Sequence, residues 1–368
     1  MATATRWHFN NETGKTGTCE ASAGNCPFLA DDQHFNNEAD ARRAYEKTQN
    51  RNMFAVVKNP TKKMTLAEAA EYQATVLDQA HKGRAPISGI DLRRRKAYVE
   101  KIIGELVKSN KTTEDMFSSE IFDGQRVYED SRSRQHEEIV NELIEDAKAR
   151  GAKQQGRAIF SGGLGGAGKT TVLNGYVNVN PNEYITVNPD DIKEVMAERG
   201  LIPKVKGLTP MESSPLAHEE ASHISAILLK KVADQNLNII IDITMSDVKK
   251  VQARVNLLRE NGYGSVNAVF VDIKPETSAH RADIRYAMGM SQYTESHRGQ
   301  GGRFLPAHVI DSNKIEDERF NSQNAKNLVT LKQLNVFDET PLVFNNDGEA
   351  PAEVSYDEFA GNYDSFLH

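Results

Sequence analysis

The sequence predicts an α/β protein: a P-loop NTPase-type parallel sheet flanked by helices, preceded by a mainly helical N-terminal region. Three observations predict it. The stretch Gly162-Gly163-Leu164-Gly165-Gly166-Ala167-Gly168-Lys169-Thr170-Thr171 contains the pattern G-x-x-x-x-G-K-T. It follows the short apolar run Arg157–Phe160 and precedes Thr171-Val172-Leu173-Asn174, so the order strand, glycine loop, helix start makes it a phosphate cradle. From Gly156 onward, short apolar runs alternate with helical patterns, as in a parallel sheet covered on both faces.

Taken in order, the chain divides into residues 1–60, 61–152 and 153–368. The first segment is polar and turn-rich, with one helix expected from Glu38 to Asn50. Gly14-Lys15-Thr16 mimics the end of a phosphate loop, but Phe9 stands where the first glycine is required. The chain's two cysteines, Cys19 and Cys26, lie between His8 and His34 in the spacing H-x10-C-x6-C-x7-H. Four nitrogen and sulfur donors suit tetrahedral Zn²⁺. The spacing fits no standard finger, and free surface thiols are the plainer alternative.

Residues 61–152 read as helical. Thr65 and Glu68 form a capping box ahead of an apolar stripe at Leu66, Ala70, Tyr72 and Leu77. Asp91 is expected to cap a second helix carrying Tyr98, Ile102, Ile103 and Leu106. A third, Ser131 to Arg150, places Ile139, Leu143 and Ile144 on one face. The basic cluster Arg93–Lys96 reads as a solvated helix face rather than a nucleic-acid site, because the whole chain is acidic.

In the third segment the expected strands are Arg157–Phe160, Tyr184–Val187, Asn238–Ile241, Asn267–Asp272 and Pro341–Phe344. The helices are Leu216–Asp234, Asp247–Asn261, Thr277–Met290 and Ala325–Leu334. In the glycine loop, Gly163, Gly165, Gly166, Ala167, Gly168, Lys169, Thr170 and Thr171 would hold ATP. Lys169 would sit on the β/γ-phosphates and Thr170 on Mg²⁺. Phosphoryl transfer also needs an acceptor-activating carboxylate and positive charge. Asn188-Pro189-Asp190-Asp191 follows the end of a strand expected beside the P-loop strand, and offers both a base and a helix cap. Asp190 is expected as the base, and Asp191 as the cap. Ile239-Ile240-Ile241-Asp242 has a Walker B-like form able to hold Mg²⁺ or an acceptor hydroxyl, with Thr244 two residues on. Arg285, in a helical stretch, and Arg303, in the glycine-rich segment Gly299–Pro306, could close over the γ-phosphate from a mobile loop, or be surface arginines of a flexible lid.

The set in this order resembles the zeta-toxin family of P-loop kinases. The stretches that carry the resemblance are 162–171, Val-Asn-Pro-Asp-Asp-Ile-Lys at 187–193, His-Glu-Glu-Ala-Ser at 218–222 and Ile-Ile-Ile-Asp-Ile-Thr at 239–244. Arg-Tyr at 285–286, Arg-Phe-Leu-Pro at 303–306, Val-Phe-Asp at 336–338 and Asn-Asn-Asp-Gly at 345–348 complete it. The resemblance implies a kinase that uses ATP and Mg²⁺ to phosphorylate the 3′-hydroxyl of UDP-N-acetylglucosamine and so arrest growth. It implies Lys169 and Thr170 for ATP and Mg²⁺, Asp190 as catalytic aspartate, and Asp242 and Thr244 for the acceptor. Arg285 and Arg303 would contact the phosphates, and Asn345 and Asn346 would lie by adenine. Asp242 stands where some members carry Glu, and the helix start His218-Glu219-Glu220, with Asp191, would line the acceptor pocket. An antitoxin partner is implied too, unless the N-terminal helices restrain the kinase in cis. Those helices could instead select a different acceptor, or merely pack as a scaffold.

Composition bounds the alternatives. The net charge is −7 and 26% of residues are charged, and the mean hydropathy is −0.58. Broad nucleic-acid binding is disfavoured. No apolar run approaches the roughly 18 residues that span a bilayer, and no secretory signal opens the chain, so a cytoplasmic location is expected. Two other readings stay open: a kinase acting on another nucleotide, a dinucleotide cofactor or an RNA end, or a nucleotide-gated binding module without transfer.

Overall fold

The computed structural model describes residues 6–9, 15–19, 34–42, 89–122, 125–296, 299–315, 320–348 and 350–364. The expected Thr65 capping box and its apolar stripe lie outside these residues, as does most of the Glu38–Asn50 helix beyond residue 42. The chain forms two compact units. One comprises Leu106–Pro203, Ser213–Asp283 and Leu305–His368; the other comprises Met1–Glu105, Lys204–Glu212 and Ile284–Phe304.

The larger unit is built on a six-stranded sheet. Its strands are β5 (Arg157–Gly162), β6 (Ile185–Val187), β7 (Ile239–Asp242), β8 (Ser265–Asp272), β9 (Leu342–Asn345) and β10 (Ala352–Val354). Their order is β10-β9-β8-β5-β7-β6. All pairings are parallel except β10 on β9. Five strands lie within two or three residues of the apolar runs read from sequence. The correction is lateral: β7, not β6, adjoins the P-loop strand, so Asp190 follows a strand one place removed from it.

The registers line up the strand ends that matter. Ser161 lies opposite Asp242, Gly162 opposite Phe270, and Asp272 opposite Asn345. Because parallel strands share direction, Gly162, Asp242, Asp272 and Asn345 close the same edge of the sheet, where ligands of open α/β sheets bind. Beneath that edge sits an apolar cluster of Ile159, Leu164, Ala167, Val172, Leu173, Ile240, Val269, Val271, Ile273 and Phe344. Each large side chain buried there contributes on the order of 1.5–3 kcal/mol, so the phosphate loop rests on a core.

The helices of this unit include α2 (Thr113–Phe117), α3 (Asp130–Arg150), α4 (Lys169–Gly175), α5 (Pro189–Glu198), α7 (His218–Asp234), α8 (Val248–Glu260), α11 (Gln323–Gln333) and α12 (Tyr356–Asp364). A short hairpin, β3 (Ser118–Phe122) with β4 (Gln125–Tyr128), went unread in the sequence. Helix α3 ends at Gly151, whose φ of 112° supplies the left-handed C-cap. It buries Ile139, Val140 and Ile144; Val140 takes the place expected of Leu143, which is only half-buried. Glu220 of α7 is fully buried rather than lining an acceptor pocket: Arg132 of α3 makes a two-pronged ion pair with it, Nε to Oε1 at 2.5 Å and Nη2 to Oε2 at 2.9 Å. His136 Nε2 lies 2.6 Å from the same carboxylate. Burial alone would raise the Glu220 pKa, but the bonds from His136 and Arg132 win and bring it down to about 2.

The smaller unit contains the hairpin β1 (Trp7–Phe9) and β2 (Thr16–Thr18) and most of α1 (Gly89–Lys108). Helix α1 starts two residues before Asp91, so that residue is not its N-cap. The basic cluster is not a solvated face. Arg95 is fully buried, with Nε and Nη2 on the Glu212 carboxylate at 2.7 and 2.6 Å. The Tyr286 hydroxyl donates to the same group. The glycine-rich segment is packed rather than loose. A Cβ at Gly301 would meet Thr209 Oγ1 at 2.2 Å, and one at Gly302 would meet the Tyr286 carbonyl at 2.3 Å. The lid expected there is therefore a tightly fitted strip.

Candidate active site

The phosphate loop is shaped by three glycines that no other residue could replace without strain. Gly163, Gly166 and Gly168 have φ of 130°, 81° and 88°. A Cβ at Gly163 would press on the Val271 carbonyl at 2.3 Å, and one at Gly168 on Asn346 Nδ2 at 2.6 Å. The loop's carbonyls are held from outside. Ser278 Oγ donates to Gly165 O at 2.5 Å, and Asn346 Nδ2 donates to Ala167 O at 2.7 Å. Arg281 Nη2 in turn donates to Asn346 O at 2.6 Å. Lys169 Nζ bonds Gly163 O and Leu164 O at 3.1 and 3.3 Å. With these acceptors taken, the loop's main-chain donors and the first turn of α4 are what it offers an anion.

Two strand ends meet beside Lys169. Asp242 Oδ1 lies 3.4 Å from Lys169 Nζ, both side chains being mostly buried. Asn188 Nδ2 donates to the other Asp242 oxygen at 3.2 Å, while Asn188 Oδ1 accepts from the Asp190 amide at 2.9 Å. That last bond makes Asn188 the N-cap of α5, with Pro189 at the first helical position. Asp191 is not the cap; it is exposed on the first turn. Asp190 is freed from capping and pairs with Lys193 at 3.0 Å, across one helical turn. The Lys193 side chain is only 10% exposed and that of Asp190 45%, so a buried cation steadies a carboxylate that faces solvent.

His218 opens α7 and feels Lys193, Glu219, Asp190 and Lys250. Its imidazole reaches solvent, yet the protein around it displaces enough water to lower its pKa, with Lys193 adding to the effect. Below its ordinary value, the ring is neutral near pH 7. Glu219 is exposed beside it. Thr244 is half-buried, its hydroxyl bonded to Ser246 at 3.1 Å and its carbonyl held by Asn324. Thr170 and Thr171 are exposed on the first turn of α4.

On the far side of the loop, β8 ends in Asp272. Burial pushes its carboxyl up to about 6; the Asn321 amide, 2.7 Å away, opposes this and the charge of Asp347 adds to it. Asp347 accepts from the Lys274 amide at 3.0 Å and the Thr277 hydroxyl at 2.7 Å. Asn346 is buried with its amide spent on the loop, and Asn345 Oδ1 accepts from the Asp347 amide at 3.1 Å.

Sequence reasoning missed Asn188, Lys193, Ser278, Arg281 and Asp272. Asn-Pro ahead of a helical pattern is a cap signal that points to Asn188, and the three-residue spacing of Asp190 and Lys193 points to the pair. Arg281, one turn before the Arg285 singled out from sequence, is the arginine that braces the loop. Arg285 and Arg303 belong to the smaller unit, exposed on α9 (Pro275–Ser296) and half-buried after Gly302 respectively. Of the zinc set, His8, Cys19 and His34 come together in that unit; Cys26 lies outside the described residues.

The family model described as Zeta toxin matches residues 140–350, more than half of the chain. The chain belongs to the zeta toxin family. Zeta toxin membership supports a kinase that uses a nucleotide, on a mostly parallel sheet flanked by helices. No curated protein matches the chain. Among solved structures, it is similar to the PezAT chromosomal toxin–antitoxin system of Streptococcus pneumoniae at 18% identity. That match covers 60% of this chain and 78% of that one, with a TM-score of 0.41. The complex of AvrRxo1-ORF1 and -ORF2 with ATP is similar at 16% identity, covering 66% and 75% with a TM-score of 0.47. Among the described residues, no helix is long and apolar enough to cross a membrane.

Proposed function

We propose that this zeta toxin phosphorylates a hydroxyl of a nucleotide sugar, the 3′-hydroxyl of UDP-N-acetylglucosamine, at the expense of ATP, and that this arrests growth. One observation carries the reading: Asn188 joins the phosphate side of the site, through Asp242 and Lys169, to the carboxylate side, through Asp190 and Lys193. A binding module needs only the first half.

The residues fit ATP: the loop is too tight for any side chain at Gly163 or Gly168, and Lys169 lies along it. In this reading Gly163–Thr171 hold the phosphates, and Thr170 with Asp242 would hold Mg²⁺, which when bound neutralises charge on the phosphate oxygens. Asp190 accepts the proton of the acceptor hydroxyl as its oxygen bonds the γ-phosphorus and the bond to the β-phosphate oxygen breaks, leaving ADP. Lys193 fixes the rotamer of that carboxylate. Thr244, Asp242, Asp191, His218 and Glu219 line the acceptor side, with His218 a neutral donor or acceptor. Arg285 and Arg303 supply positive charge to the transferred group, and Asn345 and Asn346 flank adenine. An antitoxin partner would restrain the enzyme, or residues 1–152 would do so in cis.

The test is incubation of the full chain with ATP, Mg²⁺ and a panel of nucleotide sugars, read by mass spectrometry. The expected product is phosphorylated UDP-N-acetylglucosamine, absent with Lys169→Ala and Asp190→Asn. Phosphate appearing only on another nucleotide would reject the sugar, and ATP binding without any transfer would reject the kinase. Growth arrest on expression, relieved by both variants, tests the cellular role.

A further inference from the structure

We propose that the β1–β2 hairpin is a zinc-binding module with His8, Cys19 and His34 as ligands. One donor atom from each of these residues lies within 4.8 Å of the other two. Zinc bonds of about 2.0–2.3 Å in a tetrahedron set donors roughly 3.3–3.8 Å apart, so the cluster closes on a single ion with side-chain adjustments of about an ångström.

The backbone brings these donors together from three separate stretches. His8 lies in β1 opposite Gly17 of β2. Cys19 follows β2 directly, its amide donating to Arg6 O at 2.7 Å. His34 precedes Phe35, which pairs with Trp7 through bonds of 2.7 and 2.9 Å in both directions. The two imidazoles stand edge to face with centroids 6.2 Å apart. The hairpin's pairing thus places all three side chains at one point.

Two physical arguments choose a metal over a chance cluster. The strands are three residues long, and a two-stranded ribbon of that size is marginal in water by itself. Small segments without a core are usually fixed by a disulfide or a metal; Cys19 forms no disulfide. The donors also specify which metal: a thiolate with imidazoles suits Zn²⁺ and rejects Mg²⁺ and Ca²⁺, which take oxygen ligands. Among the described residues, no carboxylate belongs to the cluster.

The test uses the full chain, expressed in zinc-supplemented medium and then exchanged with Co²⁺. Elemental analysis is expected to find about one zinc per chain, and the cobalt form to show a thiolate-to-cobalt charge-transfer band. Cys19→Ser and His34→Ala should each lose the zinc and the band, while Lys169→Ala keeps both. A wild-type chain that takes up neither metal overturns the proposal, and so does zinc that persists undiminished in Cys19→Ser.

Discussion

The phosphate loop and the N-terminal hairpin are both short polar turns that gather donor groups, yet they are held in opposite ways. The loop lies on a continuous apolar cluster and has its carbonyls braced by Ser278, Arg281 and Asn346. Its shape is set by the protein around it. The hairpin has three-residue strands joined by backbone pairing to each other and to Phe35, and His8, Cys19 and His34 meet where those segments join. A core pre-shapes one site; in the proposed zinc module, a bound ion would add order to short strands.

The sharpest division between chemistry and architecture is at Lys169. Lys169→Ala is expected to lower phosphoryl transfer by about 10²–10³-fold or more, the scale of losing one preorganised charge contact, with a smaller fall in the thermal midpoint from its lost contacts with Asp242 and the loop carbonyls. Activity that survives while the midpoint drops would mean that Lys169 supports the loop instead of serving the phosphate.

Next in size is the brace behind the core. Arg132→Ala strands Glu220, whose side chain is fully buried, and should cost about 3–5 kcal/mol in denaturant unfolding. The pH dependence carries a sign. Glu220 has a folded pKa near 2, below its ordinary 4.5, so its contribution is present above about pH 4.5 and is lost as pH falls toward 2. In wild type the acid side should therefore be steep, and in Arg132→Ala shallower. Equal acid slopes in the two proteins would contradict the assignment.

Asp272 has the opposite sign and a smaller effect. Its folded pKa of about 6 lies above the ordinary 3.8, so the native state keeps the proton longer. Its contribution is full below about pH 4 and is lost as pH rises through about 6, at most about 3 kcal/mol. Asp272→Asn should flatten that part of the stability curve, and a curve unchanged from wild type would show that the carboxylate ionises freely.

Smallest of all is the expected effect of Cys19→Ser on the main unfolding transition, under about 0.5 kcal/mol, because the hairpin belongs to a different compact unit from the sheet. A fall of several kcal/mol would show that the hairpin and the core unfold together, and the contrast drawn above would fail.

The sheet was legible because its strands are short apolar runs between turn signals, and the loop because glycines at fixed offsets have few other uses. Asp190 and Asp242 were legible as carboxylates at strand ends. What the pattern could not give was lateral order: nothing in a strand's sequence says whether it lies one place or two from its neighbour, and β6 was set one place too near. Bracing residues were also hidden, since Ser278 and Arg281 sit in a helix that reads as ordinary amphipathic surface. Arg95 was misjudged for a related reason. Its partner Glu212 is 117 positions away, and a charge run reveals no such pairing.

The two outermost strands of the sheet, β6 and β10, are its shortest at three residues each, and β10 runs against the direction of its neighbours. Such margins offer few backbone groups in line for a further strand. Through the margins of this sheet, copies of the protein have few backbone groups with which to join edge to edge.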